Sequence, residues 1–139
     1  MIPHADEALR MLTQRLATTQ LPDLKSAYLQ SDLMVMTQLL GALSLELGNG
    51  IERRLQDIRT MQALLASEQG RALLDDPALL AATPASYSLA DVNALHDQLT
   101  RALISVHAAA EEAGEPYADF GDQIWGYYEE HAARHALPG

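Results

Sequence analysis

The chain carries five histidines, His4, His96, His107, His131 and His135, and no cysteine. His131 and His135 are four residues apart. On a helix they share one face, a turn apart, a spacing that can hold a metal ion between two imidazoles. A third ligand follows from topology. If the two C-terminal helices fold back at Gly114–Glu115, facing residues have numbers summing to about 230, so position 96 faces roughly 134. His96 then joins His131 and His135 in a three-histidine group able to take a transition metal. Glu129 or Glu130 could serve as a fourth ligand or an orienting partner. The plainer alternative is a pair of solvated histidines close to a fraying C-terminus.

Other metal chemistries fit less well. Ala132 follows His131, where a His-Glu-x-x-His zinc protease has its general base. The Glu-x-x-His pairs of a carboxylate di-iron bundle are absent, since Asn93, Ile104 and Tyr128 stand three residues before His96, His107 and His131. The absence of cysteine excludes disulfides, thiolate catalysis and Cys-ligated zinc or iron–sulfur centres.

Two further groups could do chemistry or bind. Glu111, Glu112, Glu115, Asp119 and Asp122 place five carboxylates within twelve residues. They lack the alternation of a calcium loop and are interrupted by Pro116 and Tyr117. A solvated acidic turn is the plain reading, and a docking surface for a basic partner is the alternative. His107 stands one turn before Glu111 as an acid–base pair, but no Ser or Cys nucleophile pattern accompanies it. Ala108–Ala110 follow His107, where a phosphotransfer helix favours a basic residue and glycine. Nucleotide-binding glycine motifs and the hydrolase Gly-x-Ser-x-Gly elbow are also missing. The sequence therefore points away from an enzyme.

These residues must be positioned by helices. Ala occurs 23 times and Leu 24 times, against 15 for Val, Ile and Thr together, an imbalance that favours helix over sheet. The spacing predicts five helices. The first covers roughly 5–19, with Leu9, Leu12 and Leu16 on one face. The second, roughly 23–47, has Leu29, Leu33, Met36, Leu40, Leu43 and Leu47 at alternating spacings of four and three. Tyr28, Val35, Leu39 and Ala42 widen that stripe, as expected of a central, buried helix. Gly48-Asn49-Gly50 reads as a helix end. A third helix from Ile51, with Leu55, Ile58, Met61 and Leu65 buried, then forms an antiparallel hairpin with the second; one long kinked helix is the alternative. Residues 70–87 are a connector containing a short helix at 77–82.

Ser88 to Asp91 has the form of a capped helix start. The fourth helix runs to about Ala113 with Leu89, Val92, Leu95, Leu99, Leu103 and Val106 inward. The fifth, roughly 117–136, buries Tyr117, Phe120, Ile124 and Tyr127 or Tyr128 and leaves Trp125 off the stripe. The expected fold is an all-α, single-domain antiparallel bundle of four to five helices spanning 1–139.

Charge narrows the partners. The net charge is −10, and residues 75–139 carry 2 basic against 11 acidic side chains. Such a surface repels nucleic acid and anionic membranes. The most apolar window, 33–47, is too short and too polar to span a bilayer. The start, Met-Ile-Pro-His-Ala-Asp-Glu, lacks the basic and apolar segments of a signal peptide, so the expected location is cytoplasmic. Met34, Leu45 and Leu64 are hard to bury in the same stripes as their neighbours, which favours a homodimer. Arg53, Arg54 and Arg59 could complement the acidic turn of a second subunit, or form local pairs with Glu52 and Asp57.

Three functional readings follow. The first is a non-enzymatic interaction or accessory protein acting on a protein partner or itself, without a cofactor. The second is a metal-binding bundle using His96, His131 and His135. The third is a binder of a small apolar ligand, with Met34, Met36 and Met61 as an adaptable lining.

Overall fold

A computed structural model describes residues 4–136 of the 139-residue chain. The described residues are all-α, with helices and no strands. Helix α1 is Ala5–Arg15, followed by a π-helical turn at Leu16–Gln20 and a 3-10 turn at Leu21–Asp23 that contains Pro22. Helix α2 is Ala27–Leu65, α3 is Glu68–Leu73, α4 is Leu89–Ala113 and α5 is Ala118–Arg134. Short 3-10 turns at Pro77–Ala81 and Glu115–Tyr117 precede α4 and α5. None of the described helices is long and apolar enough to cross a membrane.

Helix α2 corrects the expected hairpin: it runs through Gly48-Asn49-Gly50 without ending. A glycine ends a helix by taking a left-handed conformation, and among the described residues only Gly114 has positive φ. Interior glycine costs about 1 kcal/mol relative to Ala. A 39-residue helix can absorb that, because propagation is cooperative once a nucleus exists.

The chain divides into two compact units, the first reaching Gly50 and the second comprising Ile51–Ala136. In the first, the Ser44 hydroxyl donates to the Asp6 carbonyl at 3.0 Å, and the Gln30 side-chain amide donates to the Leu24 carbonyl at 2.7 Å. None of its described apolar side chains belongs to the buried core. The stripe expected to be central is open: Leu29, Met36, Leu43 and Leu47 are about half exposed or more, and Met34, Val35 and Leu39 are similar. Leu12 is exposed as well. Periodicity records which face can be buried and says nothing of what covers it.

The second unit holds the core. Ile58, Met61 and Leu65 of α2 pack with Val92, Leu95, Leu99, Leu103, Val106 and Ala110 of α4 and with Phe120, Ile124 and Tyr127 of α5. This matches the expected faces, except that Leu89 remains exposed while Leu55, Tyr117 and Tyr128 are only partly buried. Burial of these apolar side chains, about 1.5–3 kcal/mol for each large one, is the main force holding the three helices together.

Local signals set the helix limits. The Ser88 hydroxyl accepts from the Asp91 amide at 3.2 Å, and the Ser86 hydroxyl donates to the Asp91 carboxylate at 2.6 Å. The first bond caps one of the amides a helix start leaves free, and the second holds the Asp91 side chain over that start. Gly114, with φ 76°, closes α4 and turns the chain into Pro116 and α5. Between α2 and α4, the Gln62 side chain donates to the carbonyls of Leu79 and Ala82 at 2.9 and 2.8 Å. It pins the connector to α2. Gly70 is buried, and a Cβ there would lie 2.5 Å from the Leu64 carbonyl oxygen, so α3 can follow α2 this closely only with glycine.

Candidate metal centre

The turn at Gly114–Tyr117 lays α5 back along α4, and the core residues of both face α2. This topology carries His96 on α4 towards the C-terminal end of α5, where His131, Arg134 and His135 follow one another around a single turn. The rings of His96 and His131 are 5.8 Å apart between centroids, and those of His131 and His135 are 4.4 Å apart. The three histidines singled out by spacing and topology are thus brought together.

They meet around a residue the sequence reading placed elsewhere. Asp57 of α2 is fully buried. Its Oδ2 faces His135 Nε2 at 2.6 Å, His131 Nδ1 at 3.1 Å and His96 Nε2 at 3.4 Å. Its Oδ1 accepts a hydrogen bond from the Arg134 guanidinium. Arg53 in turn donates to the Arg134 carbonyl at 3.2 Å, placing a cation at the negative end of α5. Glu129 and Glu130, considered above as a fourth ligand, are exposed, and Glu130 lies 3.8 Å from Arg134.

Asp57 was legible in part. It precedes Met61 and Leu65 by four and eight residues, which sets it on the buried face of α2. Its arginine-rich neighbourhood, Arg53, Arg54 and Arg59, made a surface ion pair the obvious assignment instead.

The electrostatics of the cluster are set by opposing effects. Burial alone would push the Asp57 carboxyl up. The His135 hydrogen bond, the positive potential of His131 and His135, and the Arg134 hydrogen bond outweigh it and hold the carboxyl below its ordinary value. Burial pushes His131 down, with further lowering from His135 and His96, against a raising effect of Asp57. Burial, followed by the Asp57 charge, pushes the neighbouring Tyr127 phenol well above its ordinary value. The site therefore holds an ionised carboxylate beside an imidazole that favours its neutral, lone-pair-bearing form.

The donor set suits a borderline cation. Among the described residues, Asp57, His96 and His131 each offer one ligand atom, and these atoms lie within 4.8 Å of one another. A tetrahedral zinc site with bonds of about 2.0–2.1 Å has ligand atoms roughly 3.3 Å apart. The 3.4 and 3.1 Å separations from Oδ2 already approximate that edge, whereas His135 Nε2, at 2.6 Å from Oδ2, is a hydrogen-bond partner outside this ligand set. Arg134 acts on the other carboxylate oxygen, as an orienting partner behind a metal ligand does.

Comparison of the chain with protein-family models, curated proteins and solved structures found no match.

Proposed function

We propose that the protein binds a divalent transition-metal ion, zinc foremost, through Asp57, His96 and His131, with His135 as a hydrogen-bond partner of the Asp57 carboxylate. One observation carries this reading: three ring nitrogens converge on one buried carboxylate oxygen. That oxygen has two lone pairs, so it cannot accept a good hydrogen bond from all three. A cation placed among Asp57, His96 and His131 takes a lone pair from each and relieves the conflict. Nitrogen and oxygen donors without thiolate suit zinc, nickel or iron. Three protein ligands leave one position of a tetrahedral shell open. The ion would fasten the end of α5 to α2 and α4, strengthening a helix terminus that otherwise frays.

The test is elemental analysis of untagged protein, with melting temperature followed against added zinc, nickel, iron and manganese. About one metal per chain and a rise in melting temperature that is lost in His131→Ala supports the site. Absence of metal and no shift with any ion contradicts it.

A second reading rests on a separate observation, the open apolar face of α2. The first unit buries none of its described apolar side chains in the core, although Leu29, Met34, Val35, Met36, Leu39, Leu43, Leu45 and Leu47 all stand on its part of that helix. Contiguous apolar surface of this kind marks an interface. A second copy of the chain is the occupant favoured, because the stripe is self-complementary in type and an isologous pair would cover it. In this reading the protein is a non-enzymatic, self-associating interaction protein. The metal centre in Ile51–Ala136 neither requires nor excludes it. Sedimentation at increasing concentration tests it: a dimer supports the reading, and a monomer throughout contradicts it. With Met34 and Met36 half exposed and Met61 fully buried, the apolar-ligand reading draws no such support.

A further inference from the structure

The connector between α3 and α4 arches over α2 and is pinned at both ends. At one end the Gln62 side chain donates to the Leu79 and Ala82 carbonyls at 2.9 and 2.8 Å. At the other the Ser86 hydroxyl accepts from the Ser88 amide at 3.1 Å and donates to the Asp91 carboxylate at 2.6 Å. Between these anchors Thr83, Pro84 and Ala85 border a groove of about 630 Å³ whose other side is Leu55 and Ile58 of α2. Tethering at both ends makes the groove preformed, and its volume is that of a small-molecule site. Its charge sets it apart from the rest of the surface. The chain has 19 acidic residues, yet none lines this groove, and Arg59 is its one charged lining residue. Arg59 is exposed and has no ion-pair partner among the described residues. Asp57, two residues before it, is turned to Arg134 and His135 instead.

We infer that this groove binds an amphipathic monocarboxylate, one carboxylate head on a hydrocarbon body of roughly eight to twelve carbons. The Arg59 guanidinium offers a planar fork of N–H donors that meets a carboxylate in two parallel hydrogen bonds. The hydrocarbon body lies on Leu55 and Ile58 beneath Pro84, where removal of its surface from water drives binding. Tyr87, 75% exposed at the groove's edge, supplies a ring to cover it. One cation matches one anionic charge, whereas a phosphorylated ligand brings more charge than a single Arg offsets. A cationic amphiphile would meet Arg59 with no acid in the lining to receive it. An uncharged apolar ligand would leave Arg59 unused. The methionines Met34, Met36 and Met61 do not line this groove, and neither do Asp57, His96 and His131. The inference is therefore independent of the metal centre.

Isothermal titration calorimetry with octanoate tests the inference, in chelator so that the carboxylate has no metal to ligate. Octanol, octylammonium and acetate are titrated in parallel. The expected result is saturable binding of octanoate, about tenfold or more tighter than octanol or octylammonium, with no binding of acetate. The Kd should weaken by about tenfold or more in Arg59→Gln, which removes the charged donor, and by less in Arg59→Lys, which keeps the charge and loses the fork. Arg59 is exposed, and circular dichroism of both variants confirms an unchanged helix content. Amide shifts in nitrogen-15-labelled protein should fall on residues 55–62 and 82–87. Shifts confined to the open apolar face at 29–47 would overturn the inference. So would equal affinity for octanol and octanoate, or affinity unchanged in Arg59→Gln.

Discussion

Asp57 Oδ2 and His135 Nε2 lie 2.6 Å apart although 78 residues separate them in the chain. This is the longest sequence separation among the contacts of the Asp57 carboxylate, and it joins α2 to the residue that follows α5. Removing the carboxylate leaves Arg134 and three imidazoles facing a buried void. Asp57→Ala should therefore destabilise the metal-free protein by about 3–5 kcal/mol, the usual cost of breaking a buried pair from one side. Urea denaturation in chelator measures it, and a loss under about 1 kcal/mol would mean that the cluster contributes little to folding.

Acid should weaken the metal-free fold in two stages. His131 and Asp57 both have folded-state values below their ordinary 6.5 and 3.8. Each binds protons less readily in the folded chain than in the unfolded one, so lowering the pH favours unfolding. Stability held above pH 6.5 on account of His131 is lost as the pH falls from 6.5 through its folded value. Stability due to Asp57 persists to about 3.8 and is lost as the pH falls through its own folded value. Melting temperatures recorded in chelator from pH 8 to pH 3 should decline in both windows. A melting temperature that rises between pH 7 and pH 5 would contradict the assignment of a neutral His131.

Core and stripe should respond oppositely to substitution. Leu99 is fully buried, and Leu99→Ala should cost about 2–5 kcal/mol in transfer and cavity terms. Leu39 and Leu43 are 61% and 54% exposed. Leu39→Glu with Leu43→Glu should leave the melting of Ile51–Ala136 nearly unchanged while abolishing any dimer seen by sedimentation. Retention of the dimer in that double variant would locate self-association elsewhere.

Two positions in the first turns of α3 and α4 should also be sensitive. Ser88→Ala removes the cap on the Asp91 amide and should cost about 1 kcal/mol. Gly70→Ala should cost more, because the new methyl meets backbone oxygens of Leu64 and Leu65 at 2.5 and 2.7 Å, and backbone cannot step aside as a flexible side chain can. Chemical denaturation of both variants ranks them, and an ordering with Ser88→Ala the more damaging would contradict the close packing of α3 on α2.

Much of this is legible in the sequence. Leu and Ala content gave the helices, and the stripes of α4 and α5 marked Val92, Leu95, Leu99, Phe120 and Ile124 as interior, where the structure has them. The facing of position 96 and the end of α5 followed from antiparallel geometry and a short turn. Two things were not legible. Gly48-Asn49-Gly50 has the composition of a helix end, yet helix termination depends on a backbone conformation that composition permits without requiring. Asp57 carries a charge, and charged residues are rarely buried without partners. Its partners came from α4 and α5, elements whose register with α2 no local pattern encodes.

The central claim is that a metal ion is held by Asp57, His96 and His131. X-ray absorption spectroscopy of protein loaded with one equivalent of zinc tests it most directly. The account predicts about four nitrogen and oxygen neighbours at roughly 2.0–2.1 Å, with the outer-shell scattering of imidazole and no sulfur. That signature should weaken in His96→Ala. A spectrum of six oxygen neighbours without imidazole scattering, or one unchanged by His96→Ala, would contradict it.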